Sequence, residues 1–114
     1  MIAYLSGAME FASDEGAAWR NNISIWLNNE LGHKTIDPVL ESAKIVEKNN
    51  AADYREWKNL DPERYSSFIK LCVKNDINIV RNKADYIICL WDANVIKGAG
   101  THAEVTLAFE LNKP

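Results

Sequence analysis

The chain has 114 residues, of which 47% are hydrophobic and 25% are charged, and its formal net charge is −3. This composition is typical of an ordinary globular chain, so we expect a single domain spanning residues 1–114. The acidic balance argues against a partner that is a nucleic-acid polymer, because such binding needs a basic surface, whereas a single nucleotide remains possible.

The sequence also lacks several signals for location and cofactors. No run reaches the roughly 18 apolar residues of a membrane span, and the N-terminus has no signal-peptide pattern, so we expect a cytoplasmic protein with no membrane partner. Cys72 and Cys89 lie in apolar segments without a C-x-x-C spacing, and His33 and His102 form no H-x-x-x-H pair. We therefore expect free thiols, no metal site and no cofactor.

The first third of the chain alternates strand and helix patterns. An apolar strand is predicted over residues 2–6, then a helix over residues 14–31 with Ser13 as its N-cap and Gly32 as its C-cap. A second strand over residues 34–37 follows, which implies a right-handed parallel crossover. The helix is predicted to bury four residues: Trp19, Ile23, Trp26 and Leu27.

The middle of the chain is less regular until a strong helix start. Residues 39–60 predict a helix followed by an irregular or second helical piece. Asp61 as N-cap and Pro62 at the first helical position then begin a helix that runs to about Asn82. Asp76 lies near the centre of its apolar face, so its carboxylate is either satisfied by neighbouring donors or positioned for chemistry. The apolar residues of that face are Tyr65, Phe68, Ile69, Cys72, Val73, Ile79 and Val80.

The C-terminal stretch combines a strand, a glycine loop and a helix. Residues 84–91 predict a strand covered on both faces, and the loop that follows ends at Thr101, a candidate N-cap. Glu104 completes a T-x-x-E capping box, yet it also lies on the apolar face of its helix. It therefore has two interpretations: a carboxylate that caps its own helix, or one that points into a ligand crevice.

The expected strand order places the last strand beside the first, so ligands should bind at the carboxyl ends of these two strands. Tyr4 lies on the same face of the first strand as Ser6, and its hydroxyl either orients Glu104 or belongs to a core tyrosine. Two misplaced acids, Glu104 and Asp76, match the nucleophile and proton donor used to cleave glycosidic bonds. The predicted substrate-binding residues are Ser6, Gly7, Ala8, Met9, Asp92, Gly98, Gly100 and Thr101. Met9, Phe11 and Trp57 are candidates for stacking on a base or, alternatively, for capping the core.

Four motifs in order carry a resemblance to a known family: YLSGAM at residues 4–9, NDI at 75–77, ADYII at 84–88 and GAGTHAE at 98–104. As a set they resemble the nucleoside 2-deoxyribosyltransferase family. The resemblance implies an α/β fold, a flavodoxin-like or Rossmann-like parallel sheet with helices on both faces. It also implies an enzyme that cleaves or transfers at the N-glycosidic bond of a 2'-deoxynucleoside or its 5'-monophosphate.

The same resemblance implies roles for individual residues. Glu104 is the expected nucleophile, Asp76 contacts the sugar or assists proton transfer, and Tyr4 holds the nucleophile. Sites of this family are often completed by a neighbouring subunit, so we expect a homo-oligomer. Three strands also make a thin sheet, and we expect further strands after Pro114 or burial against a partner subunit.

The position six residues before the nucleophile departs from the family pattern. The transferases carry an acid there and the monophosphate hydrolases carry a serine, whereas this chain has Gly98. Transfer and hydrolysis of deoxynucleoside monophosphates therefore both stay open. A catalytically silent module that binds or senses nucleotides is a further alternative, as is a purely structural partner protein.

Overall fold

A computed structural model describes all 114 residues of the chain as a three-stranded parallel sheet with five α-helices. None of the helices combines the length and the apolar character needed to cross a membrane. The elements in chain order are β1 (Ile2–Gly7), α1 (Ala17–Trp26, continued by a π-helical turn, Leu27–Leu31), β2 (Lys34–Ile36), α2 (Pro38–Lys48), α3 (Tyr54–Leu60), α4 (Pro62–Asn82), β3 (Tyr86–Leu90), a 3-10 turn (Val95–Lys97) and α5 (Gly100–Glu110).

The sheet has the order β2-β1-β3 and both of its strand pairs are parallel. The central strand β1 is buried on both faces because its side chains alternate between two helical layers. Ala3 and Leu5 pack with Leu27 from the π-helical turn after α1, and Tyr4 packs on the other face with residues of α4 and α5. The predicted three-layer, flavodoxin-like α/β fold is therefore confirmed.

The helix starts follow local capping chemistry. The Asp37 carboxylate accepts a hydrogen bond from the Val39 amide at 2.8 Å, and the Asp61 carboxylate accepts one from the Arg64 amide at 3.2 Å. Each aspartate precedes a proline at the first helical position, where the missing N–H costs nothing. The predicted start of α4 is confirmed, and the region 39–60, predicted as a helix followed by an irregular or second helical piece, contains α2 and then the short helix α3.

The start of α1 differs from the prediction. The helix begins at Ala17 with Gly16 as its N-cap, and Ser13 makes no cap. The Asp14 carboxylate instead accepts hydrogen bonds from the Gly16 and Ala18 amides, each at 2.9 Å, because a turn precedes the helix. Gly32 ends the helical segment in the left-handed conformation, as predicted.

Two predictions of burial were wrong. Trp26 is 52% exposed, because α1 turns this side chain away from the sheet while Trp19 and Ile23 pack against it. The third strand, predicted over residues 84–91 and covered on both faces, ends at Leu90, and its residues are half-buried or exposed because β3 is an outer strand of the sheet.

Trp57 lies in a separate core between α3 and α4 with Ala51 and Phe68, so it is not available to stack on a ligand.

The C-terminal residues are bound to the preceding elements. The Lys113 ammonium donates hydrogen bonds to the carbonyls of Val80, Arg81 and Ala84, at 2.7 to 2.8 Å, and so satisfies acceptors at the C-terminal end of α4. The Pro114 carbonyl accepts a hydrogen bond from the Ile87 amide of β3 at 2.8 Å.

The guanidinium of Arg20, a residue of α1, is fully buried and joins α1 to the end of β1. It donates to the carbonyls of Leu5 at 3.0 Å, Gly7 at 2.8 Å and Gly16 at 2.9 Å. The Asp37 carboxylate lies 3.8 Å away and supplies an opposite charge. Burial lowers the pKa of Arg20, a cost that these partners offset. Arg20 thereby fixes both ends of the loop between β1 and α1.

Gly16 provides a test of this arrangement. Its φ is +77°, and an added Cβ would lie 2.2 Å from Arg20 Nη1 and 2.5 Å from the Ala8 carbonyl oxygen. Gly32 has a similar φ of +65°, but no atom lies within 4 Å of an added Cβ. We expect Gly32→Ala to cost about 1–2 kcal/mol of unfolding free energy from backbone strain alone. Gly16→Ala should cost clearly more in urea denaturation, and equal losses would contradict the close approach of Arg20.

Candidate active site

The carboxylate of Glu104 is buried at the centre of the candidate site. Glu104 lies in the first half of α5 and is 8% exposed. The Tyr4 hydroxyl donates a hydrogen bond to its Oε1 at 2.9 Å, and the Ser6 hydroxyl donates one to its Oε2 at 2.5 Å. Both carboxylate oxygens are therefore bound by hydroxyls of the central strand, which fixes the orientation of the group.

The capping interpretation of Glu104 was wrong. The N-cap of α5 is Ala99, which makes no side-chain cap hydrogen bond, and Thr101 lies inside the helix. The T-x-x-E pattern therefore forms no capping box. Because α5 begins at Gly100, Glu104 lies within the helix and not at its end. Its side chain lies on the face of α5 that covers β1, where two hydroxyls donate hydrogen bonds to it.

The period of two along β1 explains why these hydroxyls meet one carboxylate. Tyr4 and Ser6 are two residues apart, so both side chains point to the face covered by α4 and α5. Neither has any exposed surface. Burial and the neighbouring charge of Glu104 raise the pKa of Tyr4 well above its usual range, so the phenol stays protonated and remains a donor.

Glu104 borders a cleft of about 410 Å³ at the carboxyl ends of β1 and β3. This is the position predicted from the reversal of strand order. Asp76, from α4, borders the same cleft, so the structure brings both misplaced acids together. The other residues that line it are Gly7, Ala8, Met9, Glu10, Phe11, Arg55, Tyr65, Ile69, Val73, Asn94, Val95, Gly98, Ala99, Gly100 and Thr101.

Two of the predicted substrate-binding residues, Ser6 and Asp92, do not line the cleft. Ser6 lies behind Glu104 and reaches the cleft only through its carboxylate. Tyr4 also lies behind Glu104, and its hydroxyl contacts that carboxylate as predicted. Asp92 does not line the cleft, because its carboxylate closes a turn by accepting a hydrogen bond from the Asn94 amide at 2.9 Å. Asn94 borders the cleft instead. The remaining predicted substrate-binding residues, Gly7, Ala8, Met9, Gly98, Gly100 and Thr101, all line it.

Arg55 is a cleft residue that the sequence analysis missed. It belongs to α3, within the stretch whose pattern was weakest, and the apolar spacing there gives no sign of a site. Arg20 was missed because an arginine on an amphipathic helix normally indicates an exposed face. Neither residue has a local signal, since each is placed by partners from distant segments.

The two acids differ in their surroundings. Burial raises the pKa of Asp76 to about 7, with further increases from the charges of Glu104 and Glu41, and no hydrogen bond counters them. Burial also raises the pKa of Glu104, but the hydrogen bonds from Ser6 and Tyr4 and the charge of Arg20 oppose the rise. The two donors therefore favour the anion of Glu104, whereas the burial of Asp76 favours its protonated form.

This arrangement places a buried carboxylate and a second acid with a raised pKa in a shared cleft. No group of three or more His, Cys, Asp and Glu side chains is arranged to hold a metal ion. Comparisons of the chain with known protein families, with curated proteins and with solved structures found no match.

The raised pKa of Asp76 predicts a stability effect with a defined sign. The folded state binds more protons than the unfolded state between pH 3.8 and about 7, so Asp76 lowers the unfolding free energy as pH rises through this window. Asp76→Asn removes that loss. At 1.36 kcal/mol per pKa unit, the variant should be about 2–4 kcal/mol more stable than the wild type at pH 8 and similar to it at pH 4.

Urea denaturation at the two pH values measures this difference. Asp53→Asn is the matched control, because Asp53 is exposed and its side chain makes no cap hydrogen bond. A stability difference for Asp76→Asn that is the same at pH 4 and pH 8 would contradict the burial of an unsatisfied carboxylate at this position.

Proposed function

We propose that the protein cleaves the N-glycosidic bond of a 2'-deoxynucleoside and transfers the deoxyribosyl group, through a covalent ester on Glu104. The observation that carries this proposal is the paired-acid geometry of the cleft. The Glu104 carboxylate is oriented by two hydroxyls, and a second acid with a pKa of about 7, Asp76, borders the same space. The motifs that resemble nucleoside 2-deoxyribosyltransferases are the reason for assigning a deoxynucleoside substrate to Glu104 and Asp76.

The first step is a displacement at the anomeric carbon. A carboxylate oxygen of Glu104 forms a bond to that carbon as the bond to the base nitrogen breaks, and the electron pair of the broken bond stays on the base. Asp76 donates its proton to the departing base, which leaves as a neutral molecule. The products are a deoxyribosyl ester on Glu104 and the Asp76 carboxylate.

The second step reverses these roles. The nitrogen of an acceptor base, or a water molecule, attacks the anomeric carbon and displaces the Glu104 carboxylate. The Asp76 carboxylate takes the proton that the attacking group loses. Tyr4 and Ser6 remain bound to Glu104 throughout, so that the carboxylate is held in one orientation in both steps.

A second candidate function is favoured by one observation. Arg55 places a cation on the wall of the cleft, which would suit the phosphate of a deoxynucleoside 5'-monophosphate and its hydrolysis. Its guanidinium is already paired with Glu15 at 2.6 Å and Glu10 at 3.7 Å, which makes the unphosphorylated deoxynucleoside the first choice. Release of free base from each substrate, with and without an acceptor base, distinguishes transfer from hydrolysis.

Trapping of the ester tests the proposed nucleophile. Incubation with a 2-fluorinated deoxynucleoside analogue, which slows breakdown of the ester, should add the mass of one fluorinated sugar to the peptide that contains Glu104. Glu104→Gln should show no adduct and should lose at least about 10³-fold in kcat/KM, the scale of nucleophile removal. Glu110→Gln, at an exposed position of the same helix, is the control. Active wild-type protein without an adduct would exclude the covalent mechanism.

The rate of base release should depend on pH with a defined sign. Asp76 must be protonated to act as the acid, so kcat/KM should fall above pH 7, by about tenfold per unit once the pKa is passed. Asp76→Asn should lower the rate and remove this alkaline limb. The measurement is kcat/KM from pH 5 to pH 9. A wild-type rate that is constant through pH 9 would contradict the role of Asp76 as proton donor.

A further inference from the structure

The segment Ala8–Gly16, here called the lid, joins β1 to α1 and forms one wall of the cleft. Its residues Met9, Glu10 and Phe11 line that wall. The Phe11 ring reaches to the opposite wall, where it lies 4.0 Å from the position of a Cβ on Gly98. A side chain at position 98 would therefore meet the Phe11 ring, which places the lid close to the glycine loop on the far side of the cleft.

The two ends of the lid are fixed, but little apolar burial holds its middle. Arg20 binds the carbonyls of Gly7 and Gly16, which lie at the two ends. Between them the backbone-to-backbone hydrogen bonds are those of short turns, and the Ala8 and Glu15 carbonyls accept longer hydrogen bonds from Arg20 Nη1, each at 3.4 Å. Glu15 adopts a left-handed conformation with φ of 58°. Phe11 is 42% exposed, and Gly16 is the only residue of the lid that is buried.

Charged side chains of α3 pair with the lid at two points, Glu10 in its first half and Glu15 next to its C-terminal end. Arg55 makes a bidentate pair with Glu15, at 3.1 Å from Nε and 2.6 Å from Nη2, and its Nη1 lies 3.7 Å from Glu10. Lys58 lies 3.3 Å from Glu10 and 5.9 Å from the centre of the Phe11 ring. These pairs are partly exposed, so they are weak and are screened by salt.

Arg55 also borders a second cavity. An open groove of about 650 Å³ lies between α2 and α3, and Met9, Glu15 and Arg55 are part of its lining. Met9 and Arg55 line the catalytic cleft as well. The Arg55–Glu15 pair therefore stands between the two spaces, and its separation would join them and widen the entrance to the cleft.

We propose that Arg55 is a positioning residue that holds the lid closed over the cleft, and that separation of its pairs with Glu15 and Glu10 opens the cleft to substrate. The fixed ends confine the motion to the middle of the lid. Opening moves Met9, Glu10 and Phe11 together, while Glu104 and its two hydroxyl donors stay in place on α5 and β1. The gating role rests on the proposed function, but the closed state of the lid does not.

Hydrogen exchange of the protein without ligand tests the closed state. Arg55→Met keeps a side chain of similar length and removes the guanidinium. We expect amide exchange in residues 8–16 to accelerate by about fivefold, the scale of one partly exposed ion pair, with no change in β1 or α5. Glu15→Gln should reproduce part of the effect, because Arg55 keeps its pair with Glu10, and the double variant should exchange no faster than Arg55→Met, because that change already removes both pairs. Lys44→Met removes an ion pair on α2 outside the lid and is the control.

Kinetics of base release test the gating role. In Arg55→Met the KM should fall by up to about fivefold, because a larger fraction of the protein is open to substrate, while kcat changes less than twofold, because the reacting groups are untouched. The wild-type KM should fall between 50 mM and 500 mM NaCl, since salt screens the pairs, and the KM of the variant should not. Arg55→Lys should restore part of the difference, since it keeps the charge but not the bidentate geometry.

Each arm has an outcome that overturns the proposal. Unchanged exchange in both Arg55→Met and Glu15→Gln would show that these pairs do not hold the lid, whatever the protein catalyses. Accelerated exchange with an unchanged KM would show that the lid does not control access. A wild-type protein that never releases base would refute the proposed function and the gating, while the exchange result would still decide the closed state.

Discussion

The candidate site depends on the burial of a charged carboxylate against the central strand of the sheet. A buried anion is costly unless donors are already in place, and Tyr4 and Ser6 supply two such donors to Glu104. This requirement fixes the orientation of α5 on β1 and explains why a small core includes a tyrosine and a serine without exposed surface. The site is therefore part of the core of the domain.

The other buried charge, Arg20, has the complementary function of shaping the backbone. Its guanidinium binds carbonyls at the end of β1 and at the start of α1, and this closes the loop that forms one wall of the cleft. Its positive charge also counteracts the raised pKa of Glu104. The single buried cation of Arg20 thus positions the loop between β1 and α1 and also favours the ionised form of Glu104.

Stability and chemistry conflict at Asp76. Its carboxyl has no hydrogen bond that offsets burial, so the folded state is less stable once this group ionises. The same burial raises its pKa to about 7, which suits the proton transfers that the proposed mechanism assigns to it near neutral pH. Other interactions of α4 offset this loss of stability: the cap at Asp61 stabilises its N-terminus and the hydrogen bonds of Lys113 stabilise its C-terminal end.

The sequence by itself determined the features that depend on neighbouring residues: the strand and helix order, the cap of α4 at Asp61 and the anomalous positions of Asp76 and Glu104. Tertiary structure decided how these parts are used. Glu104 fits a capping box by local pattern, yet it is bound by a tyrosine 100 residues away, because a buried carboxylate gains more from two fixed donors than from an exposed helix end. Arg20 and Arg55 could not be predicted for the same reason, since their partners lie in other elements and a spacing pattern reports only contacts within one helix or strand.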